Sequence, residues 1–468
     1  MSGGDAGRAA ATDAALAAPT TALAEFTAQL RLEDVPEPTR MRAKEILLDS
    51  IACALAAEGC EELPQIQAFA VALGGAPQAT VIGDIARHSL ASAVLLNGYR
   101  ITAVTVCDVY TVAHCHVTPE VVPPALALAE RQSSSGARTL LSVIAGLEVT
   151  TRVARGLEYQ GFRSRGWHAP GVVGPFGGAA AAATLLGLDA EQTRHAFALA
   201  GSQSSGTWAA WGTPTVKFHQ SRGALSGLMA GLLAAQGFRG SNEILIHPDG
   251  GIYTAYAGGG DPAAAIDGLG DRWELEQISL RLWPSGTPLQ PVITAVFELL
   301  GDGPIRTDRI RSVTVRVPPH VHRAHARFGV PTGTFDALLS IPYVVSVILH
   351  DREAWVPQFA AGRYRDPELR RFIEERVRLE EDASLSRDGA TVAITGTDGM
   401  SRSASVDVAI GHPRRPLSSD QLLAKVHRCA DALIGAGATD RLIARVMAIE
   451  DETNLEELLA LTRPPAPA

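Results

Sequence analysis

Two histidines separated by one residue, His114 and His116, form a compact group of proton-transfer side chains. Asp108 precedes them among apolar neighbours, where loss of water would raise the pKa of its carboxyl group. Capping of a helix end is the other common role of such an aspartate. Because histidine changes charge near neutral pH, the pattern indicates acid–base chemistry, with Asp108 as a second ionisable group or as a cap.

His168 follows Trp167 in a predicted loop that leads into an apolar helix. A histidine at such a position is either structural or a proton-transfer group, and its position alone leaves both open. A helix beginning near Gly174 would present free backbone N–H groups, which favour bound anions. We therefore predict a cradle for a carboxylate at this helix end.

Lys217, His219 and Arg222 lie close together before a long segment rich in Ala, Leu and Gly. Clustered charges are usually a solvated turn. The flanking Trp211 and Phe218 are apolar, which a surface turn explains less well. Lysine is a compact cation, so Lys217 is a candidate partner for a substrate carboxylate.

Histidine spacing also raises the alternative of a metal site built from His114, His116, His320, His322 and His325. No carboxylate ligands accompany them, so we predict that the chain binds no metal and place the last three on a loop. The five cysteines are scattered without a Cys-x-x-Cys pair, which disfavours an iron–sulfur cluster and suits a reducing cytoplasm. The sequence also contains no Gly-x-Gly-x-x-Gly, Gly-Lys-Ser/Thr or Gly-x-Ser-x-Gly motif, so no cofactor is predicted.

Composition narrows the possible partners of the chain. The formal net charge of −9 argues against nucleic acid, and an anionic substrate would need local positive charge. The longest apolar stretches, 174–188 and 223–235, are shorter than the roughly 20 residues of a membrane span. Residues 1–20 lack the features of a signal peptide and are predicted to be a disordered lead-in, which favours a cytoplasmic location.

The hydrophobic pattern predicts a mainly α protein with a smaller α+β domain. At 468 residues the chain exceeds what one core usually organises. Apolar residues recur at helical spacing, and the predicted helices are 38–55, 89–105, 124–132, 137–156, 174–186, 190–200 and 221–237. Alternation predicts strands at 311–317, 391–394 and 403–409, with helices 342–349 and 366–377 between them. Residues 418–461 are predicted to be helical again.

Several ordered blocks of this sequence resemble the MmgE/PrpD family. The first is Leu96-Asn97-Gly98, followed by His114-Cys115-His116 and the run Val121-Val122-Pro123-Pro124-Ala125-Leu126. Later blocks include Gly166-Trp167-His168 and Ser340-Ile341-Pro342-Tyr343. The resemblance implies a helical domain formed by residues 21–272 and 408–468, with an α+β domain inserted at 273–407.

The resemblance also implies an active site and its departures from the family pattern. His168 and His116 are expected to be the acid–base pair, and Lys217 is expected to hold a carboxylate. Asp108 and Tyr343 would support them, and the expected substrate contacts are His219, Thr105, Gln290 and Arg281. Thr102 stands in place of a family His, Thr105 and Cys107 in place of two Asp, and Gln290 in place of a later His.

Family members process small di- and tricarboxylates such as 2-methylcitrate, cis-aconitate and iminodisuccinate. Chemistry on such acids builds negative charge, so the site must supply cations and an acid or base. The resemblance therefore implies a cofactor-free lyase, a dehydratase or decarboxylase that acts by α-proton abstraction or CO2 loss. An isomerase or epimerase of a dicarboxylate, and a scaffold that only binds a ligand or partner, are the alternatives. A homodimer is expected, because Ala/Gly-rich helices suit packing between protomers.

Overall fold

A computed structural model describes residues 18–301, 303 and 305–465. Most of the predicted lead-in, residues 1–17, lies outside the described residues. A helix already begins at Pro19, within the range predicted to be disordered. Proline suits this first turn because its missing N–H would have no partner there.

The first part of the chain is a succession of helices. They are α1 (Pro19–Gln29), α2 (Glu37–Leu55), α3 (Leu63–Leu73), α4 (Leu90–Thr102), α5 (Thr118–Gln132), α6 (Gly136–Gly156), α7 (Tyr159–Ser164), α8 (Ala169–Leu186), α9 (Ala190–Gly201), α10 (Thr215–Ala235) and α11 (Pro262–Ile266). Two short antiparallel pairs join β1 (Ala79–Thr80) to β2 (Arg87–His88) and β3 (Val109–Tyr110) to β4 (Ile278–Ser279).

Helix α8 lies at the centre of a large hydrophobic core, where it packs against α5, α6, α9 and α10. Small residues allow this close packing, since a Cβ atom added at Gly227 would lie 2.6 Å from the Cα atom of Gly178. Among the described residues α8 is also the one helix long and apolar enough to cross a membrane by length and composition. Because 89% of it is buried against the rest of the protein, it is a core helix of this fold.

A second core is built between residues 282 and 410. Its helices are α12 (Gln290–Gly301), α13 (Pro319–His325), α14 (Thr334–Leu339), α15 (Ile341–Asp351), α16 (Ala361–Tyr364) and α17 (Pro367–Arg376). Its strands are β5 (Ile310–Val317), β6 (Val377–Glu381), β7 (Ala390–Gly396) and β8 (Ser401–Val406). The sheet order is β6-β5-β7-β8, with β5 parallel to β6 and antiparallel to β7.

The chain then returns to the larger core through α18 (Ser419–Ile434), α19 (Ala436–Met447) and α20 (Glu456–Ala460). Helices α18 and α19 pack against α2. The predicted fold class, mainly α with a smaller α+β part, is confirmed. The residue limits assigned above to the two domains stay a prediction.

Three predicted helix starts are wrong, each by at least one turn. Helix α5 begins at Thr118 instead of 124, α8 at Ala169 instead of 174, and α10 at Thr215 instead of 221. Both α5 and α8 carry a proline in the first turn and further prolines inside. Burial on all sides keeps these helices continuous past their internal prolines, which a local pattern interprets as boundaries.

Candidate active site

A cavity of about 920 Å³ lies where the two cores meet. The larger core contributes residues at the end of α4 and at the starts of α8 and α10, and the smaller core contributes α13 and α14. Its closed end is formed by buried side chains, namely Thr102, His168, Lys217, Gln220 and Arg281. Its open end is formed by more exposed ones, namely Gln160, Arg163, Arg323, Arg327 and Arg387.

The cavity wall is strongly positive. Six cationic side chains line it, Arg163, Lys217, Arg281, Arg323, Arg327 and Arg387, together with five histidines, His114, His116, His168, His320 and His325. No aspartate or glutamate is among the described lining residues. Within the described part of the chain, only Lys217 of these six cations has a carboxylate at ion-pair distance, with Glu62 Oε2 3.7 Å from its Nζ. The positive charge of this wall favours a bound anion over a neutral or cationic ligand.

His168 is the N-cap residue of α8 and is 6% exposed. Its Nδ1 atom lies 3.1 Å from Nδ1 of His219, on the first turns of α10. Burial holds the pKa of His168 well below its usual value, and the charges of His219, His116 and Arg163 act in the same direction. Both rings are therefore neutral near pH 7, and one Nδ1–H donates to the other Nδ1.

His116 has a defined tautomer. Its Nδ1 atom lies 2.6 Å from the backbone carbonyl oxygen of Asp108, which can only accept, so Nδ1 carries the proton. Nε2 is left with its lone pair and has no partner among the described residues. Burial, followed by the charge of Arg281, lowers the pKa of His116 to about 3. The negative charge of a bound anion would offset the charge of Arg281 and so raise the pKa of His116.

Asp108 lies beneath His116 and does not line the cavity. Its carboxylate accepts hydrogen bonds from the backbone N–H groups of Val117 at 2.9 Å and Thr118 at 3.2 Å, and from the Thr118 hydroxyl. These groups open helix α5, so the carboxylate caps that helix. Burial raises the pKa of Asp108 to about 6, against the opposing effect of these hydrogen bonds. Of the two roles considered above, the geometry matches the cap.

Backbone carbonyls of the segment from residue 103 to residue 108 hold two cationic side chains at the closed end of the cavity. Ala103 O accepts from Lys217 Nζ at 2.6 Å, and Cys107 O accepts from Arg281 Nε at 2.7 Å. Thr105 lies between them, and its φ of 59° is rare for a β-branched residue. Strained backbone of this kind is concentrated at functional sites, and Thr105 lies between the two carbonyls that bind cations of the cavity.

Three further histidines line the cavity. His320 and His325 lie on α13, so the predicted loop position of this group is wrong, and His322 is not among the lining residues. Burial lowers the pKa of His114 and of His325 to about 4. His114 Nε2 lies 3.4 Å from the guanidinium group of Arg387. This contact connects the two cores across the cavity. Among residues 18–301, 303 and 305–465, no three His, Cys, Asp or Glu side chains are grouped to hold a metal ion.

Four predicted site residues are not among the lining residues of this cavity, namely Asp108, His219, Gln290 and Tyr343. Tyr343 is buried in the smaller core, where its hydroxyl donates to the carbonyl of Gln358. Gln290 donates to the carbonyl of Trp283 at 3.0 Å and lines a small adjoining cavity of about 50 Å³. The predicted carboxylate cradle at Gly174 is also wrong, because Gly174 lies inside α8 and is buried.

Sequence reasoning missed the four arginines of the open end, Arg163, Arg323, Arg327 and Arg387. Arg323 and Arg327 are four residues apart, whereas Arg163 and Arg387 come from distant parts of the chain, and no motif connects the four. A weak signal was present, because an acidic chain acting on an anion must concentrate cations somewhere.

Comparison with known proteins agrees with the two-part architecture. Models of the MmgE/PrpD N-terminal and C-terminal domains match residues 21–265 and 283–451. The chain is 27% identical to a cis-aconitate decarboxylase-like protein of Aspergillus oryzae, over 94% of this chain and 96% of that protein. It is 24% identical to a cis-aconitate decarboxylase of Aspergillus terreus, over 95% and 96%, and 27% identical to that of Homo sapiens, over 80% of each. Since the two models together span both cores and the cavity between them, the chain belongs to the MmgE/PrpD family.

Proposed function

We propose that the chain is a lyase that removes CO2 from a small tricarboxylate of the cis-aconitate type. The observation that carries this proposal is the charge of the cavity, which six cations line without a described carboxylate. Partly desolvated cations hold carboxylates and stabilise the negative charge that develops during reaction. Relatives named cis-aconitate decarboxylase, aligned over nearly the full length, support the same substrate class.

The proposed step balances without a cofactor. The bond between carbon and the departing carboxylate breaks, and its electron pair is delocalised onto a carboxylate that stays conjugated with the double bond. CO2 leaves, and one proton is added to carbon. The site must therefore supply cations and one acid. Dehydration would instead need a base to remove a carbon-bound proton and an acid for the leaving hydroxyl, and the relatives named cis-aconitate decarboxylase favour loss of CO2.

The closed end offers side chains for each part of this step. Lys217 and Arg281 hold substrate carboxylates, because both are buried cations fixed by backbone carbonyls. Once the bound anion has raised the pKa of His116, its Nε2 takes up a proton from water and delivers that proton to the substrate carbon. The His168–His219 pair donates a hydrogen bond to the substrate and fixes its orientation. Thr102 and Thr105 also line the cavity and provide uncharged contacts to the substrate.

The test is to incubate the purified chain with cis-aconitate in deuterated water and follow the products by NMR. The proposal predicts loss of one CO2 and incorporation of one deuterium on carbon. Parallel incubations use 2-methylcitrate, citrate, trans-aconitate and chiral dicarboxylates. Loss of water without CO2 would identify a dehydratase, and deuterium exchange with inversion would identify an isomerase. No reaction with any of these acids would favour a scaffold that only binds.

A further inference from the structure

The cavity is larger than a six-carbon acid requires. Its volume of about 920 Å³ is near the upper end of the roughly 300–1,000 Å³ typical of pockets that enclose drug-sized ligands. The groups assigned to the carboxylates, Lys217 and Arg281 among them, occupy only the closed end. The remaining volume extends toward the open end and has walls of a different chemical character.

Two of the six tryptophans of the chain form this other wall. The rings of Trp208 and Trp211 are stacked, with centroids 5.7 Å apart and planes inclined by 15°. Arg163 lies 3.8 Å from the Trp208 ring and Arg327 lies 4.9 Å from the Trp211 ring. Phe335 continues the surface, and each of the three aromatic side chains is only partly buried.

This aromatic wall, defined as Trp208, Trp211 and Phe335, begins directly beside the groups proposed for chemistry. The ring of His168 lies 5.8 Å from that of Trp208, and Lys217 Nζ lies 5.8 Å from the centre of Phe335. A substituent on a carboxylate head bound at the closed end would therefore reach the wall without a gap. Guanidinium groups lie over both tryptophan rings, but the three aromatic side chains stay partly exposed in the cavity, and aromatic groups that line a cavity are typical of a ligand site.

We infer that the substrate is a polycarboxylate that carries an apolar substituent of several carbons, which lies along the aromatic wall. This inference rests on the proposed function and names its substrate class more narrowly. The aromatic wall removes the substituent from water, and the cations at the closed end hold the carboxylate head. Burial of each added CH2 group should raise kcat/KM by about fourfold until the wall is covered.

The experiment compares cis-aconitate with its methyl-, ethyl-, butyl- and hexyl-substituted forms by initial rates of CO2 release. For the native chain we expect kcat/KM to rise along the series. In Trp208→Ala and Trp211→Ala the ratio of kcat/KM for the butyl form to that for cis-aconitate should fall at least about tenfold. The matched control is Trp355→Ala, since Trp355 is also covered by an arginine, Arg428 at 4.2 Å, but does not line the cavity. Its ratio should stay at the native value.

The outcomes separate the two proposals. If cis-aconitate is decarboxylated and kcat/KM falls steadily with substituent length, the aromatic wall is not a substituent site, while the proposed function stands. If no member of the series loses CO2, the proposed function fails and the inference that depends on it fails as well. A calorimetric titration with butyl-substituted tricarballylate, which cannot react, provides a readout independent of turnover. Binding no tighter than that of tricarballylate would also overturn the inference.

Discussion

His168 and His219 face each other through like atoms, with their Nδ1 nitrogens 3.1 Å apart. Such a contact is a hydrogen bond only when one ring carries a proton on Nδ1 and the other does not. Protonation of both would place two N–H groups against each other. The pair is therefore a coupled unit that holds at most one extra proton while the bond is kept, and burial lowers the pKa of both rings.

The first prediction concerns this pair. His168→Ala should lower kcat at least about 100-fold, because it removes a positioned hydrogen-bond donor to the substrate. His219→Ala removes one of the charges that depress the pKa of His168, so that pKa should rise toward its usual value. Because His168 must be neutral, the acidic limb of the kcat/KM profile should move to higher pH. Exposed His247 offers a control, and His247→Ala should leave the profile unchanged.

If His168→Ala retains near-native turnover of the established substrate, the histidine-centred mechanism is wrong. His168 would then be a structural N-cap residue of α8.

The second prediction concerns Thr105, in the position where the family carries an aspartate. Thr105→Asp should raise KM for a tricarboxylate by about tenfold, because it introduces a negative charge into a wall without described carboxylates. Thr105→Asn has a similar shape without the charge and tolerates the positive φ better than threonine. Steady-state kinetics of both variants should show the rise in KM only for aspartate. Equal kinetics of the two variants would show that charge at this position does not affect binding.

The third prediction concerns Glu120, a buried residue of α5 whose two carboxyl oxygens have no partner in the described structure. Burial raises the pKa of Glu120 well above its usual value, so the folded chain binds a proton there that the unfolded chain releases. The stabilisation that comes from this bound proton is complete below the usual pKa of a glutamate. It is lost as the pH rises toward the raised pKa of Glu120. Glu120→Gln should thus be more stable than the native chain at pH 8, and the difference should shrink toward pH 5.

Urea unfolding at several pH values measures this difference. Glu148→Gln is the matched comparison, because the Glu148 carboxylate lies 2.6 Å from Arg152 Nε and accepts two backbone N–H groups. That variant should lose about 3 kcal/mol, since it leaves a buried charge without its partner. A stability difference for Glu120→Gln that does not change with pH would contradict the assignment of Glu120 as a protonated acid.

The fourth prediction is the oligomeric state. The prevalence of two-fold assemblies among soluble oligomers favours a homodimer. Light scattering should give twice the 49.2 kDa mass of one chain. A mass equal to one chain across the concentration range of the assay would contradict it.

The repeating patterns of the sequence predicted the fold better than they predicted the site. Helical spacing identified α2, α4 and α6 to within a few residues, because each carries a regular apolar face. Proline-containing starts such as that of α8 were misplaced, since burial keeps the helix continuous there. The role of Asp108 could not be predicted from the sequence for a different reason. A carboxylate at this position can cap a helix or contact a substrate, and only the folded structure shows that it accepts a hydrogen bond from Thr118, ten residues away.

The arrangement of the cations in the cavity cannot be predicted from short sequence motifs. Lys217 belongs to a recognisable block, whereas the arginines of the open end meet only because two cores pack together. Tyr343 also belongs to a recognisable block, yet the same packing leaves it outside the cavity. A motif identifies residue types, but the direction in which each side chain points depends on contacts between distant elements.

The central claim is that the cavity binds a tricarboxylate through Lys217 and its neighbouring cations. Calorimetric titration with tricarballylate, a saturated analogue that cannot lose CO2 by the proposed route, tests it without depending on turnover. We predict saturable binding to the native chain that weakens at least about 100-fold in Lys217→Met and is retained in Arg415→Met, which removes a cation paired with Glu298 outside the cavity. Equal affinity of the native chain and Lys217→Met, or no binding to the native chain, would contradict the account.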